Sequence, residues 1–292
     1  MGEKGGAQRI RDLLGAGTTI VMPGVYDALS ARLATQAEFE VLFISGYSVS
    51  AARLAAPDFG YLTQTEISQT AREVTAATSL PVIVDADTGY GNPLSAMRTG
   101  RLLHAAGAAG IFLEDQEWPK KCGHYEGKRV VPRDEWLAKL QAVLDLRGEG
   151  VDLFLVARTD AAAAVGIDEA IARATAAREL GVDAVFVEAP RSTAELERVA
   201  KEVEDAVRVA NMIEGGKTPL LSPDELHALG YDLIVTPLAG LFAAARALSE
   251  AYAVMRAEGT LRRRMDLLVD FDTFNSMVDL GHHHDLQRRY EA

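Results

Sequence analysis

The sequence predicts an α/β protein, a single-domain (β/α)₈ TIM barrel over residues 1–292, on three observations. Short apolar, β-branched runs alternate with Ala-rich helical stretches, the rhythm of repeated βα units and a parallel sheet. Eight such runs can be counted. Nearly every run ends in polar residues, and the C-terminal ends of strands are where enzymes of this architecture build their sites.

The runs, taken in order, show where that chemistry falls. The first covers residues 19–22. The second, 41–45, ends in Ser45-Gly46, and the third, 82–85, leads into Asp85-Ala86-Asp87. The fourth, 110–114, ends in Glu114-Asp115, and the fifth, 153–157, runs into Arg158-Thr159-Asp160. Glu188 closes the sixth, 184–188, and Asn211 falls in the seventh, 208–212. The eighth, 233–236, is followed by Pro237-Leu238-Ala239-Gly240-Leu241-Phe242. Ordinary loop-entry caps account for one or two such polar ends but not for the set. No linker or low-complexity tract interrupts the series. Helical additions are expected at both ends. The extension from about residue 261 reads as helix, with Phe271, Phe274, Met277 and Leu280 at helical spacing, ready to cover a neighbouring subunit or the barrel's outer face.

Composition excludes several function classes. Thirty basic against 42 acidic residues give a net charge of −12, the wrong sign for neutralising a phosphate backbone, so nucleic acid is not an expected partner. No apolar leader follows Met1-Gly2-Glu3-Lys4-Gly5-Gly6, and no stretch reaches the roughly 18 apolar residues of a spanning helix. A cytoplasmic protein without membrane contact is expected. One cysteine, Cys122, excludes an internal disulfide and leaves either an inert core residue or a reactive thiol.

Two constellations bear on chemistry. Asp85 and Asp87 flank one residue at a strand end, Glu114 ends the next strand, and Asp58 lies in the loop after the second run. An oxygen-only set of carboxylates suits Mg²⁺ or Mn²⁺, which keep several waters. The segment 114–131 is too long for a simple turn and has the length of a lid. It carries Lys120-Lys121-Cys122-Gly123-His124, where lysines and histidine are expected to lower the thiol's pKa and glycine lets backbone approach a substrate. No second cysteine or suitably spaced histidine makes a zinc site. Arg158 suits a carboxylate clamp, with a salt bridge to Asp160 or Glu188 as its plainer alternative. Gly89-Tyr90-Gly91 lacks the third glycine of a dinucleotide fingerprint, and Gly215-Gly216-Lys217-Thr218 has Asn211 where a phosphate loop needs glycine. His282-His283-His284 sits in the tail, at an expected surface or interface.

Those motifs, in their order, resemble the isocitrate lyase/phosphoenolpyruvate mutase superfamily over essentially the whole chain. The resemblance implies that Asp85 binds the metal directly, while Asp58, Asp87 and Glu114 act largely through its waters. It implies that Ser45, Gly46, Gly123, Arg158, His124, Glu188 and Asn211 hold a small carboxylate substrate, and that Cys122 acts as general acid with Lys121, His124, Arg158 and Glu188 completing the catalytic group. A homotetramer exchanging its C-terminal helices is implied as well. Within the superfamily the Lys-Lys-Cys-Gly-His loop is similar to that of carbon–carbon lyases, since phosphoenolpyruvate mutase carries Asn in that loop. The wording around Trp118-Pro119 looks like the petal-death and dimethylmalate lyase group. Methylisocitrate lyases have Tyr where Phe43 stands and Arg where Phe242 stands, so these two positions are expected to shape substrate choice. The expected reaction is Mg²⁺-dependent cleavage of a 2-alkylmalate or methylisocitrate-like acid to an alpha-oxo acid and a carboxylate. Carboxyphosphonoenolpyruvate mutase, with a similar Cys-Gly-His segment, and oxaloacetate hydrolysis are the alternatives.

Overall fold

A parallel sheet covered on both faces needs apolar side chains at nearly every strand position, and the eight runs meet that need. In a computed structural model describing residues 5–291, they form β1 (Ile20–Val25), β2 (Leu42–Ile44), β3 (Val82–Asp85), β4 (Gly110–Glu114), β5 (Phe154–Thr159), β6 (Ala184–Val187), β7 (Val209–Asn211) and β8 (Leu233–Thr236). Residues 1–4, where no apolar leader is expected, lie outside the described residues. All eight strands run parallel in the order β6-β5-β4-β3-β2-β1-β8-β7. A bridge from Val185 to Arg208 brings β6 alongside β7, and the sheet curls into the (β/α)₈ barrel.

The two-residue pleat sorts each strand's side chains. Met22, Phe43, Ile83, Phe112, Phe154, Val156, Phe186 and Val235 point inward as one buried cluster. Val25, Ile44, Val84, Ile111, Leu113, Leu155 and Val187 face the surrounding helices. The helix Gly6–Gly15 adds Ala7 and Ile10 to the inner cluster, and burying a side chain the size of Ile10 is worth about 1.5–3 kcal/mol. β5 extends through Thr159, past the predicted 157, so Arg158 sits in the ladder opposite Glu114. That register makes an acid and a base neighbours at the site.

Beyond β8, the helix Ala239–Glu258 buries only Ala251. The predicted helical stripe in the tail is divided between two helices, Phe271–Met277 and Leu280–Tyr290. Asp279 between them is left-handed at φ 61°, so Phe271 and Leu280 do not share one helix face. No helix among the described residues is long and apolar enough to cross a membrane.

Candidate active site

A cavity of about 40 Å³ lies at the C-terminal ends of the strands. Phe43, Phe112 and Phe186 from inside the barrel line it, with ring centroids 4.7 and 5.7 Å apart along the series. Its polar wall is Ser45, Asp58, Asp85, Cys122, Gly123, His124, Arg158, Glu188 and Asn211. Ser45 caps the helix Gly46–Leu54, accepting from Ser48 N, so the positive end of that helix opens beside the cavity, a favourable place for an anion. A Cβ on Gly46 would lie 3.0 Å from Asp85 Oδ2.

Four carboxylates gather beside the cavity. Asp85 Oδ1 accepts the backbone N–H of Asp87 at 3.2 Å. Asp58 Oδ1 and Asp87 Oδ1 lie 2.7 and 2.6 Å from Lys120 Nζ. Glu114 is fully buried, and neither of its oxygens accepts a hydrogen bond among the described residues, although Oε2 lies 3.3 Å from Arg158 Nε. Burial pushes Glu114 well above the ordinary carboxylate range against the pull of Arg158. It pushes Asp87 up to about 7, with Lys120 opposing. Orphaned buried acceptors call for a partner, and a hard cation with a water shell is one that this donor set fits. Among the described residues no group of three or more carboxylates, imidazoles or thiols is drawn together closely enough to hold a metal ion by itself. An ion that keeps much of its water, as Mg²⁺ and Mn²⁺ do, needs fewer direct protein ligands.

The segment after β4 folds over this group. Gln116 bridges to Val130, and Val131 N donates to Asp115 O at 2.9 Å, which ties the two ends of the segment together. Between them Lys120 reaches the carboxylates, and Cys122 N donates to Asp58 O at 3.1 Å. Lys128 Nζ donates to the Gly123 carbonyl and to Asp160 Oδ1, the latter at 2.7 Å. A Cβ on Gly123 would stand 2.5 Å from Glu188 Cδ and 2.7 Å from Arg158 Nη2. Any larger residue there has to push those two side chains aside.

Cys122 is buried and faces the cavity. The lysines beside it in sequence do not serve it. Lys120 is committed to Asp58 and Asp87, and Lys121 Nζ turns away to the Gly127 carbonyl at 3.4 Å, over the Phe59 ring. Burial therefore dominates and pushes the thiol up to about 12, with the His124 backbone N–H opposing it and Asp58 and Glu188 reinforcing it. The expectation of a lysine-lowered thiol is corrected: at neutral pH Cys122 is protonated. Lys121 does not line the cavity.

Arg158 makes both of its expected salt bridges while still lining the cavity. Nε lies 2.9 Å from Asp160 Oδ2, Nη2 lies 3.2 Å from Glu188 Oε2, and the guanidinium sits over Phe186. Burial alone would raise Asp160, but Arg158 and Lys128 outweigh it and hold the carboxyl at about 2. Burial is likewise outweighed at Glu188, which Arg158 and His124 keep below the usual range. Asn211 Nδ2 donates to both Glu188 oxygens at 3.2 Å, and its buried Oδ1 has no partner among the described residues.

Phe242 does not reach the cavity. Its N–H bonds to Leu238 O in the first turn of the helix Ala239–Glu258, which leaves the ring 41 % exposed, and Leu238 lines the cavity with Ile213 and Pro237 instead. Sequence reading did not single out Tyr47, which lines the cavity, or Lys128, and it gave Lys120 to the thiol and Asp160 only to Arg158. The Glu126-Gly127-Lys128 and Arg158-Thr159-Asp160 stretches were visible, but nothing in them announced a buried Lys–Asp pair spanning 32 positions.

A family model described as phosphoenolpyruvate phosphomutase matches residues 10–256. The chain belongs to the phosphoenolpyruvate phosphomutase family. Within it, the chain is 50 % identical to a chloroplastic carboxyvinyl-carboxyphosphonate phosphorylmutase of Arabidopsis thaliana, over 93 % of this chain and 80 % of that one. It is 47 % identical to the petal death protein of Dianthus caryophyllus (94 % and 86 % covered) and 39 % identical to a 2,3-dimethylmalate lyase of Eubacterium barkeri (97 % and 98 %). A solved oxaloacetate acetylhydrolase in complex with 3,3-difluorooxalacetate superposes with a TM-score of 0.92 at 32 % identity, covering 97 % and 96 %. A phosphonopyruvate hydrolase in complex with oxalate and Mg²⁺ superposes at 0.87 and 25 % identity, covering 98 % and 99 %. Lyases and mutases thus surround this family member, and it is an enzyme of their superfamily.

Proposed function

We propose that this enzyme is a divalent-metal-dependent lyase cleaving the C2–C3 bond of a small 2-hydroxy dicarboxylate, a 2-alkylmalate or methylisocitrate-like acid, to an alpha-oxo acid and a carboxylate. The observation that carries the reading is a buried thiol facing the same cavity as the carboxylate group and Arg158, with its acidity pushed down by burial. In such a cleavage a base takes the 2-hydroxyl proton, C2 becomes the oxo carbon, and the C2–C3 electron pair departs with C3 as a carboxylate-stabilised carbanion. That carbon needs a proton, and Cys122 Sγ–H, which lines the cavity, would supply it.

Asp85, with Asp58, Asp87 and Glu114 reaching through water, would hold Mg²⁺ or Mn²⁺. The bound ion supplies Lewis-acid polarisation of the 2-hydroxy carboxylate. Arg158, the N-terminus of the helix at Ser45-Gly46, Gly123, His124 and Asn211 bind and orient the carboxylates, and Glu188, an acceptor only, holds Arg158 and Asn211 in place. Phe43, Ile213 and Leu238 give the alkyl substituent an apolar wall, and the lid excludes water from the carbanion. The bound Mg²⁺ of the solved phosphonopyruvate hydrolase supports the choice of metal.

Phosphonate rearrangement is the second reading, favoured by the 50 % identical carboxyvinyl-carboxyphosphonate phosphorylmutase. Oxaloacetate hydrolysis has the oxaloacetate acetylhydrolase superposition behind it. Substituted malates, oxaloacetate and phosphonates assayed side by side with Mg²⁺ separate the three. The proposed enzyme is a cytoplasmic homotetramer that exchanges C-terminal helices. Exposed Leu248, Tyr252, Met255 and Phe271 support a covered tail, and sedimentation of the full chain measures the assembly.

A further inference from the structure

We infer that the Gly215-Gly216-Lys217 turn after β7 is a positioning device for His124, which it holds as the tautomer carrying its proton on Nε2, aimed into the cavity. The glycines that fail as a phosphate loop fit this use. Gly215 is left-handed at φ 73°, and Gly216 N donates to Ile213 O at 2.9 Å, closing a tight turn. A Cβ on Gly216 would lie 2.7 Å from His124 Cε1 and 2.8 Å from Nδ1, so the turn's backbone rests directly on the imidazole. The next amide, Lys217 N, donates to His124 Nδ1 at 2.9 Å.

A ring nitrogen that accepts a hydrogen bond cannot carry the proton in neutral imidazole, so the other one must. Nε2 is buried, lines up 3.3 Å from Glu188 Oε1, and makes no hydrogen bond of good geometry among the described residues. Glu188 is already engaged by Asn211 and Arg158. The Nε2–H thus faces Glu188 Oε1 without a well-formed bond, and an oxygen of a bound carboxylate would compete with Glu188 for it. The Lys217 side chain also pairs with Glu126 of the lid. One residue thus fixes the ring through its backbone and the lid through its side chain. The assignment rests on this cavity being the active site, but its test does not depend on which acid is turned over.

The test is the ¹⁵N spectrum of histidine-labelled full-length protein at neutral pH, with the His124 signals assigned by their loss in His124→Gln. Wild type should show a pyridine-type Nδ1 and a pyrrole-type Nε2. Lys217→Ala, which keeps the amide, should retain that pattern. Gly216→Ala and Lys217→Pro, each checked by circular dichroism for a native fold, should lose it to a mixture of tautomers. A wild-type ring protonated on Nδ1, alone or together with Nε2, overturns the inference. So does a folded Gly216→Ala with the wild-type pattern, a result that counts even if Lys217→Pro fails to fold. Because the spectrum needs no turnover, failure of the lyase reading would leave this result intact.

Discussion

Alkylation of the only cysteine tests how burial sets the acidity of the site. With Cys122 pushed up to about 12, roughly one molecule in 10⁴ is thiolate at pH 8, against about one in four for an unperturbed thiol of pKa ~8.5. Since the thiolate is the nucleophile, native protein should react with iodoacetamide about 10³-fold more slowly than protein in denaturant. Steric shielding adds to that slowing without changing its pH dependence. The decisive observable is therefore the slope: the rate, followed by intact mass, should climb about tenfold per pH unit from 8 to 11 with no plateau. A plateau near pH 8–9 would refute the reasoning, since it is that of an ordinary thiol on which burial has no hold. The linkage has a definite sign. A raised folded pKa means that the stability contribution is complete below the unfolded value near 8.5–9 and is lost as pH rises towards 12. Melting temperature should accordingly fall more steeply over that window in wild type than in Cys122→Ala.

Four further outcomes follow from the geometry. Cys122→Ser keeps the cavity but offers a much weaker acid, so kcat should drop by about 10²–10⁴ with little change in KM, as read by steady-state kinetics. Lys120→Met removes the cation shared by Asp58 and Asp87; urea unfolding should show a loss of about 3–5 kcal/mol, partly restored by excess Mg²⁺ as the carboxylates gain another partner. Lys128→Met unfastens the lid from Asp160, and its stability loss, about 3 kcal/mol by the same assay, should come with a raised KM and faster protease nicking within 115–131. Gly123→Ala forces a Cβ against Glu188 and Arg158, and a displacement of about 1 Å there should cost on the order of 10² in kcat/KM while leaving the melting temperature within a few degrees.

The barrel was legible because a doubly covered parallel sheet writes itself as apolar runs, and the polar groups at their ends marked the site before any contact was known. Ser45, Asp85, Arg158, Glu188 and Asn211 came from five strand ends to one cavity. What stayed hidden depended on direction rather than identity. Lys120 and Lys121 are adjacent, yet one enters the carboxylate group and the other turns outward, and no local pattern distinguishes them. Cys122 looked activated because sequence displays neighbouring charges and conceals burial. Phe242 missed the cavity because the helix after β8 begins at Ala239 and carries it away. His124 and Lys217 meet across 93 positions through a backbone amide, which side-chain patterns do not report. The tail's apolar spacing survived, but one left-handed residue, Asp279, divides it.

Cleavage itself is the most direct test. The purified chain with Mg²⁺ and a panel of 2-alkylmalates, read by coupled alpha-oxo-acid detection and by NMR in D₂O, should yield an alpha-oxo acid and a carboxylate carrying one deuterium at the former C3, and Cys122→Ser should nearly abolish both. Turnover of a phosphonate or of oxaloacetate, with no oxo acid released from any substituted malate, would contradict the account.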